Sequence, residues 1–437
     1  GDVYKRQLVN NVPGNNLINS LPKRKQGLAG RLSYAYDGKY MAEVNMGYNG
    51  SENFAKGHRW GFFPSIALGY NISEESFFEP LRKVITSMKL RGSWGLVGND
   101  QIGGERFIYM PTINLSGKGF TTGIDQNYGL SGPVYTRYEN NSITWEVGEK
   151  INLGIDLQLL NSLNIVVDIF RETRRDIFQK KGTIPTYLGT GNTDVFGNLA
   201  EMKNQGLDLS IDYNKAFSKD FYMNFKGTFT YAHNEITKYD EAPKYAFQSK
   251  VGQSANVSQG YLSNGLFLDE AEIDRYNQQM GSTLGAGDIK YLNVSNMHGY
   301  GDDIVDVDDW TWIGNPTVPE IVYGFGPSFK YKNWDFSFFF QGVAKTSLFM
   351  SGFHPFGDNS LRNVLQFVAN DRWSPTNQNV DAKYPRLTRK TSLNNTNPGN
   401  SGRTSDYWMR DGSFLKLKNM ELGYTFKRMR FYIGVSN

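Results

Sequence analysis

The sequence contains no cysteine, which excludes a disulfide frame and any thiolate metal site. Histidine is almost as scarce. His58, His233, His298 and His354 are the only four, and none is spaced from another as metal ligands are. No run of about 18 apolar residues occurs, so a membrane-spanning helix is excluded, although a β-barrel is not. The formal net charge is only +4, and no Lys/Arg run exceeds a few residues. A nucleic-acid footprint is therefore missing. No signal peptide is visible at Gly1. The Gly-Thr-Gly-Asn at 189–192 is not followed by the Lys-Ser/Thr of a phosphate loop and reads as loop punctuation. Carboxylate pairs such as Glu74-Glu75 read as solvated surface. Nothing converges as an enzyme active site requires, so the chain is not expected to be an enzyme.

What the chain has instead is aromatics, 14% of residues with 26 Tyr and 29 Phe, and 47 glycines. It also has strict alternation. In "FYMNFKGTFTY", Phe221, Met223, Phe225, Phe229 and Tyr231 share one face, and Tyr222, Asn224, Lys226, Thr228 and Thr230 share the other. "YMAEVNMGY" (40–48), "INLGIDLQLL" (151–160) and "GLDLSIDY" (206–213) repeat the pattern. A period of two means strands with one apolar and one polar face. Twelve such strands are expected, at 27–36, 40–50, 61–72, 88–98, 144–160, 164–178, 200–216, 220–234, 319–331, 334–345, 413–426 and 429–437. Several are long enough for a tilted membrane strand. In 413–426, Leu415 and Leu417 are out of phase with Met420, Leu422 and Tyr424, which predicts a bulge near Asn419.

The connections alternate too. Tight turns are expected at Asp37-Gly38, Asn161-Ser162, Ser218-Lys219, Lys332-Asn333 and Lys427-Arg428, and long loops at 51–60, 99–143, 179–199, 235–318 and 346–412. Short turns on one side and long loops on the other characterise an outer-membrane barrel. Segment 73–87 falls on the short-turn side and is expected to be a small helix capped at Ser73. A β-sandwich has shorter strands without this two-sided rhythm, and no fixed-period repeat supports a solenoid or propeller. The fold class is therefore all-β, an antiparallel transmembrane β-barrel. Tyr40, Tyr48, Tyr70, Trp94, Phe221, Tyr231, Trp334 and Tyr424 are placed for its interfacial aromatic girdles.

Several blocks resemble SusC/RagA-type TonB-dependent outer-membrane transporters. They include "RWGFFPSIALGYNISEESFF" (59–78), "MKLRGSWGLVGND" (88–100), "ITWEVGEKINLGIDLQLLNSLNIVVDIFRETRRDIF" (143–178), "NLAEMKNQGLDLSIDY" (198–213), "IGNPTVPEIVYGFGPSFKYKNWDFSFFFQGV" (313–343) and "DYWMRDGSFLKLKNMELGYTF" (406–426). The resemblance implies a barrel of about 22 strands, of which this chain would be a partial, internal piece of about twelve, with the plug domain absent. Residues 1–7, "GDVYKRQ", match nothing in the family and read as a non-native leader, with 8–437 as the barrel piece. Such a piece would have two unpaired edges, would not transport alone, and would form an open, curved sheet. The implied function is outer-membrane import of oligosaccharides or peptides. The implied partners are the TonB-ExbB-ExbD complex, acting through the missing N-terminal region, a SusD-like surface lipoprotein lid and outer-membrane lipid. The alternative is a soluble or surface β-rich carbohydrate-binding or adhesin protein.

Substrate contacts are expected from loop aromatics, because rings stack on sugar faces. Trp60, Tyr128, Trp310, Trp312 and Trp373 are the candidates, each set against the plainer role of packing its own loop. The stretch "GDDIVDVDDWTWIGNP" (301–316) is the candidate cation site, with Asp302, Asp303, Asp306 and Asp308 as possible Ca²⁺ ligands. Asp306 and Asp309 match the second acidic pair of a calcium-like segment that the family often carries before Ile-Gly-Asn-Pro, but the preceding "NVSNMHGYGDD" departs from it. The strict EF-hand pattern fails as well: counting from Asp302, Val307 stands where Gly is needed and Ile313 where Glu is needed. A solvated loop end is therefore preferred over a metal site, and no other cofactor is expected.

Overall fold

The computed structural model describes residues 24–102, 107–185, 193–276, 278–279, 284–350, 363–388 and 404–437. The leader at 1–7, the Gly-Thr-Gly-Asn at 189–192, His354 and parts of the loops 179–199 and 346–412 lie outside them. Twelve long strands form one antiparallel order. They are β1 (Lys25–Tyr36), β2 (Tyr40–Ser51), β3 (Trp60–Asn71), β4 (Ile85–Asn99), β5 (Glu146–Leu159), β6 (Leu163–Lys180), β7 (Phe196–Ala216), β8 (Phe221–Lys238), β9 (Ile321–Tyr331), β10 (Trp334–Ala344), β11 (Phe414–Phe426) and β12 (Met429–Ser436). Each is hydrogen-bonded to its neighbour in sequence, and among the described residues β1 and β12 pair on one side only. All twelve expected strands are present, with ends shifted by a few residues. The chain divides into two compact units, Gly1–Asp208 with Asn234–Ala242, and Leu209–His233 with Pro243–Asn437.

In the first unit the register aligns the alternation. Tyr40, Val44 and Tyr48 of β2 face Tyr70, Ile66 and Phe62 of β3, and Ile66 and Leu68 continue to Trp94 and Gly92 of β4. One face is thus continuously apolar, and it is exposed: Leu28, Leu32, Leu68 and Leu153 all have more than half their surface in solvent. Tyr40 stacks on Tyr70 at one end of this band (ring centroids 5.1 Å) and Tyr48 on Trp60 at the other (4.8 Å). The eight-residue interval from Tyr40 to Tyr48 is about 27 Å of strand at ~3.4 Å per residue. At a tilt of ~40° it spans about 20 Å of height, close to the roughly 25 Å apolar band of outer-membrane barrels.

The other face is polar and cross-linked. Arg91 of β4 donates from Nε and Nη2 to Asp156 of β5 (2.8–3.1 Å) and from Nη2 to Asp168 of β6 (3.0 Å). The guanidinium reaches the third strand by passing over Gly154, which lies directly between Arg91 and Asp168 in register. A Cβ at Gly154 would lie 2.5 Å from Asp168 Oδ1 and 2.8 Å from Arg91 Nη2. The second unit repeats the device. Arg430 of β12 pairs with Glu421 of β11 and with Asp335 of β10, and a Cβ at Gly423 between them would lie 2.5 Å from Asp335 Oδ2. Trp334 and Tyr424 pack together on the apolar side of the same strands (4.7 Å). The bulge is present: Phe339 pairs with Asn419 and Phe340 with Leu417, leaving Lys418 as the extra residue.

Two expectations fail locally. Segment 73–87 is not an α-helix capped at Ser73. It forms two 3₁₀ turns, Ile72–Glu74 and Ser76–Leu81. The Ser73 hydroxyl bonds Asn71 instead (2.8 Å), and Pro80 cannot donate to a helical ladder. The loop 99–143 holds a further antiparallel hairpin, Thr112–Thr122 with Tyr128–Arg137, whose bulged register hides its period. If the apolar face meets lipid, Ile66→Arg, at the middle of the band, should cost about 2–4 kcal/mol. Ala67→Arg on the polar face should cost less than about 1 kcal/mol. Urea unfolding of the chain in lipid vesicles checks both, and equal costs would contradict the assignment of faces.

Candidate functional site

The large buried apolar side chains lie outside the twelve strands. In the first unit, Phe54, Ile102, Ile108, Ile143 and Trp145 form a small core among the loops on the side opposite the tight turns. In the second, Tyr261, Leu266, Ile289, Tyr291, Trp373 and Trp408 anchor a larger one, built from the loops before β9 and after β10. That loop domain is locked by Asp288, fully buried, which takes a two-pronged bond from Arg386 (Nε 2.5 Å, Nη2 2.9 Å) and one from the Gly285 N–H. The bond to Asp288 holds the Arg386 guanidinium charged and raises its pKa further. Burial raises the Tyr407 and Tyr261 hydroxyls well above the usual phenol range. A cavity of about 400 Å³, lined in part by Asp269, Glu272, Arg275, Lys290 and Asp381, opens on this domain. Lys290 bonds Glu272 there (2.7 Å).

The acidic stretch is a hydrogen-bonded corner of the same domain. Asp306 caps the 3₁₀ turn Val307–Asp309: its Oδ1 accepts the Asp308 N–H (2.8 Å), and Asp309 Oδ2 accepts the Asp306 N–H in return (2.8 Å). Asp309 is fully buried, and its Oδ1 accepts the Ser295 N–H (2.9 Å). Burial raises its carboxyl above the ordinary range. Asp302 Oδ1 accepts from Asn293 (3.1 Å), Ser295 Oγ and Ile304 N–H. Asp308 pairs with Lys244, whose pKa that bond raises. Asp303 is exposed. Asp302, Asp306 and Asp308 are thus engaged separately while Asp303 faces solvent, and no group of three His, Cys, Asp or Glu among the described residues is arranged to hold a metal ion. As arranged, these carboxylates do not converge on one point. The carboxylate that organises the corner, Asp309, was not among the expected ligands.

The expected aromatics are dispersed. Trp60 is not in a loop; it opens β3 and stacks on Tyr48 on the apolar face. Tyr128 is exposed on the 112–137 hairpin. Trp310 packs edge-on to Tyr261 in the loop core (6.0 Å), Trp312 Nε1 donates to the Ser249 carbonyl (2.9 Å), and Trp373 is buried. Tyr245, Phe247, His298 and Tyr300, none of them among the expected site aromatics, converge. Tyr245 lies 4.2 Å from Tyr300 and 5.4 Å from Phe247, and Phe247 stacks on His298 at 4.6 Å. The i, i+2 spacing in "YAF" and "HGY" was the available signal. His233 Nδ1 lies 2.5 Å from Glu320, which also pairs with Lys345 (3.5 Å) where the strands β8, β9 and β10 meet their loops.

Apolar strand faces turned outward, a bridged polar face and core-bearing loops on one side are the features of an outer-membrane barrel. Residues 2–437 match the family described as TonB dependent receptor-like, beta-barrel. The chain belongs to this family. Among curated relatives it is 28% identical to the TonB-dependent receptor SusC of Bacteroides thetaiotaomicron, over 92% of this chain and 38% of that protein. It is 26% identical to TonB-dependent receptor P3 of Formosa agariphila, over 90% and 38%. The solved RagAB peptide transporter shares the fold, with a TM-score of 0.66 at 18% identity, over 94% of this chain and 44% of that one. The TonB-dependent receptor barrel sequence in hand thus spans less than half the length of these relatives.

The corner makes a graded prediction for this receptor barrel. Asp309→Ala strands two N–H groups and should destabilise the 293–309 segment by about 2–4 kcal/mol. Asp306→Ala should cost about 1 kcal/mol, and Asp303→Ala no more than about 0.5 kcal/mol. Hydrogen exchange at 293–309 should give this order equally in excess calcium and in chelator. A calcium-dependent order would restore the metal site.

Proposed function

We propose that this chain is the barrel part of an outer-membrane active importer of oligosaccharides or peptides. In this reading it is energised through TonB with ExbB and ExbD, and it works beneath a SusD-like lipoprotein lid. The observation that carries the proposal is the inverted arrangement of the strands. Their apolar side chains form an exposed band edged by the stacked pairs Tyr40–Tyr70 and Tyr48–Trp60. Their polar face carries the Arg91 and Arg430 bridges. A soluble carbohydrate-binding sheet has no reason to expose such a band. The membership in a receptor family and the resemblance to SusC support the same reading.

The polar faces would line the conduit, and the loop domains would meet the substrate. Of the five aromatics expected from sequence, Tyr128 keeps an exposed ring; Trp310, Trp312 and Trp373 serve the loops that carry them. In a strain lacking the gene, entry of its labelled oligosaccharide or oligopeptide should fall to background. A protonophore should stop entry in the parent strain without removing surface binding. Surface retention without entry, indifferent to the protonophore, would instead favour the adhesin reading.

A further inference from the structure

Among the described residues, Tyr245, Phe247, His298 and Tyr300 form a group of mutually packed rings that the loop core of the second unit does not absorb. Phe247 is central and partly covered, whereas His298 is exposed and Tyr300 is 50% exposed. Rings that stack on one another while two of them stay open to water keep apolar surface available at little ordering cost. Their placement is fixed from below. The Tyr300 N–H donates to the Ser295 carbonyl (3.0 Å) and the His298 N–H to Val294 (3.2 Å). The Ser295 N–H is in turn held by buried Asp309. On the other side Gln248 donates to the Asp308 carbonyl (3.0 Å), fastening the Tyr245–Phe247 segment to the same corner.

The charge at the edge selects among ligands. The Lys244 ammonium lies 5.2 Å from the centre of the Tyr245 ring and pairs with Asp308. The two charges cancel each other, so this pair offers hydrogen-bonding groups without adding a net charge of its own to attract a peptide terminus or a phosphate. A ligand that fits has an apolar C–H face for the rings and hydroxyls for the rim.

We propose that Tyr245, Phe247, His298 and Tyr300, with Lys244 and Asp308 at their edge, form a stacking subsite for a neutral carbohydrate on the external loops. The proposal rests on the importer reading and selects glycan over peptide within it. Under this assignment the acidic corner is a mounting: it holds the platform and does not touch the sugar.

The test is titration of the full chain in detergent with neutral hexasaccharides (maltohexaose, xylohexaose, cellohexaose, mannohexaose) and with a neutral hexapeptide, by calorimetry. At least one sugar should bind. Tyr300→Ala should weaken it by about tenfold, equivalent to about 1.4 kcal/mol, while Tyr300→Phe should retain it. Phe77→Ala, an exposed ring on the short-turn side of the other unit, should change nothing. Unchanged hydrogen exchange at Ser295 confirms that the corner survives in Tyr300→Ala. His298→Ala should reproduce the loss if that control fails. No binding by any of these sugars, equal affinity in the alanine variants, or hexapeptide binding with the same ring dependence would overturn the proposal. Loss of uptake in the deletion strain would still stand in those cases, separating failure of the subsite from failure of the importer reading.

Discussion

In lipid there is no water to satisfy a backbone N–H or C=O, so a spanning strand must bond its neighbours along its whole length and turn its apolar side chains outward. The rest of the molecule follows from that constraint. The twelve strands pair in sequence order, and apolar side chains of β1 to β5 such as Leu28, Leu32, Leu68 and Leu153 stay exposed instead of meeting across a core. Large buried side chains therefore collect where the chain has left the band, in the loop clusters around Trp145 and around Tyr261 and Trp408. In an ordinary soluble domain the sheet carries the core and the loops are its periphery. Here the order is reversed, and the loops carry cores of their own.

The polar strand face answers the same constraint with charge. A guanidinium that must reach two strands away needs the intervening position to be empty. Gly154 and Gly423 supply that gap in two separate places. Each bridge ties three strands through side chains in addition to their backbone ladders, and each pairs one arginine with two carboxylates. Each arginine offsets one of its two negative charges, and the bidentate geometry of arginine makes the most of the few atoms in reach.

The strands were legible because period two is a direct imprint of a two-solvent environment. The bulge in β11 was legible for the same reason, since Leu417 and Met420 break parity. What escaped was whatever lacks a period. The 112–137 hairpin carries three register shifts. The 73–87 segment looked helical by composition, but Pro80 and the local bonding of Ser73 gave 3₁₀ turns. In the candidate site, counting acidic residues suggested ligands. The outcome depended on which carboxylate is buried, and burial of Asp309 under Ser295 is set by residues fourteen positions apart. Likewise the tryptophans that looked available are largely taken up by packing, while two short aromatic pairs 53 residues apart meet at the surface.

The central claim is that even-numbered positions of β2 face lipid and odd-numbered ones face water. Spin labels placed singly at residues 41–47 of the chain in lipid vesicles test it through their accessibility to oxygen and to a water-soluble nickel chelate. The account predicts that oxygen reaches 42, 44 and 46 preferentially, while the nickel chelate reaches 41, 43, 45 and 47. Comparable nickel access at all seven positions would contradict it.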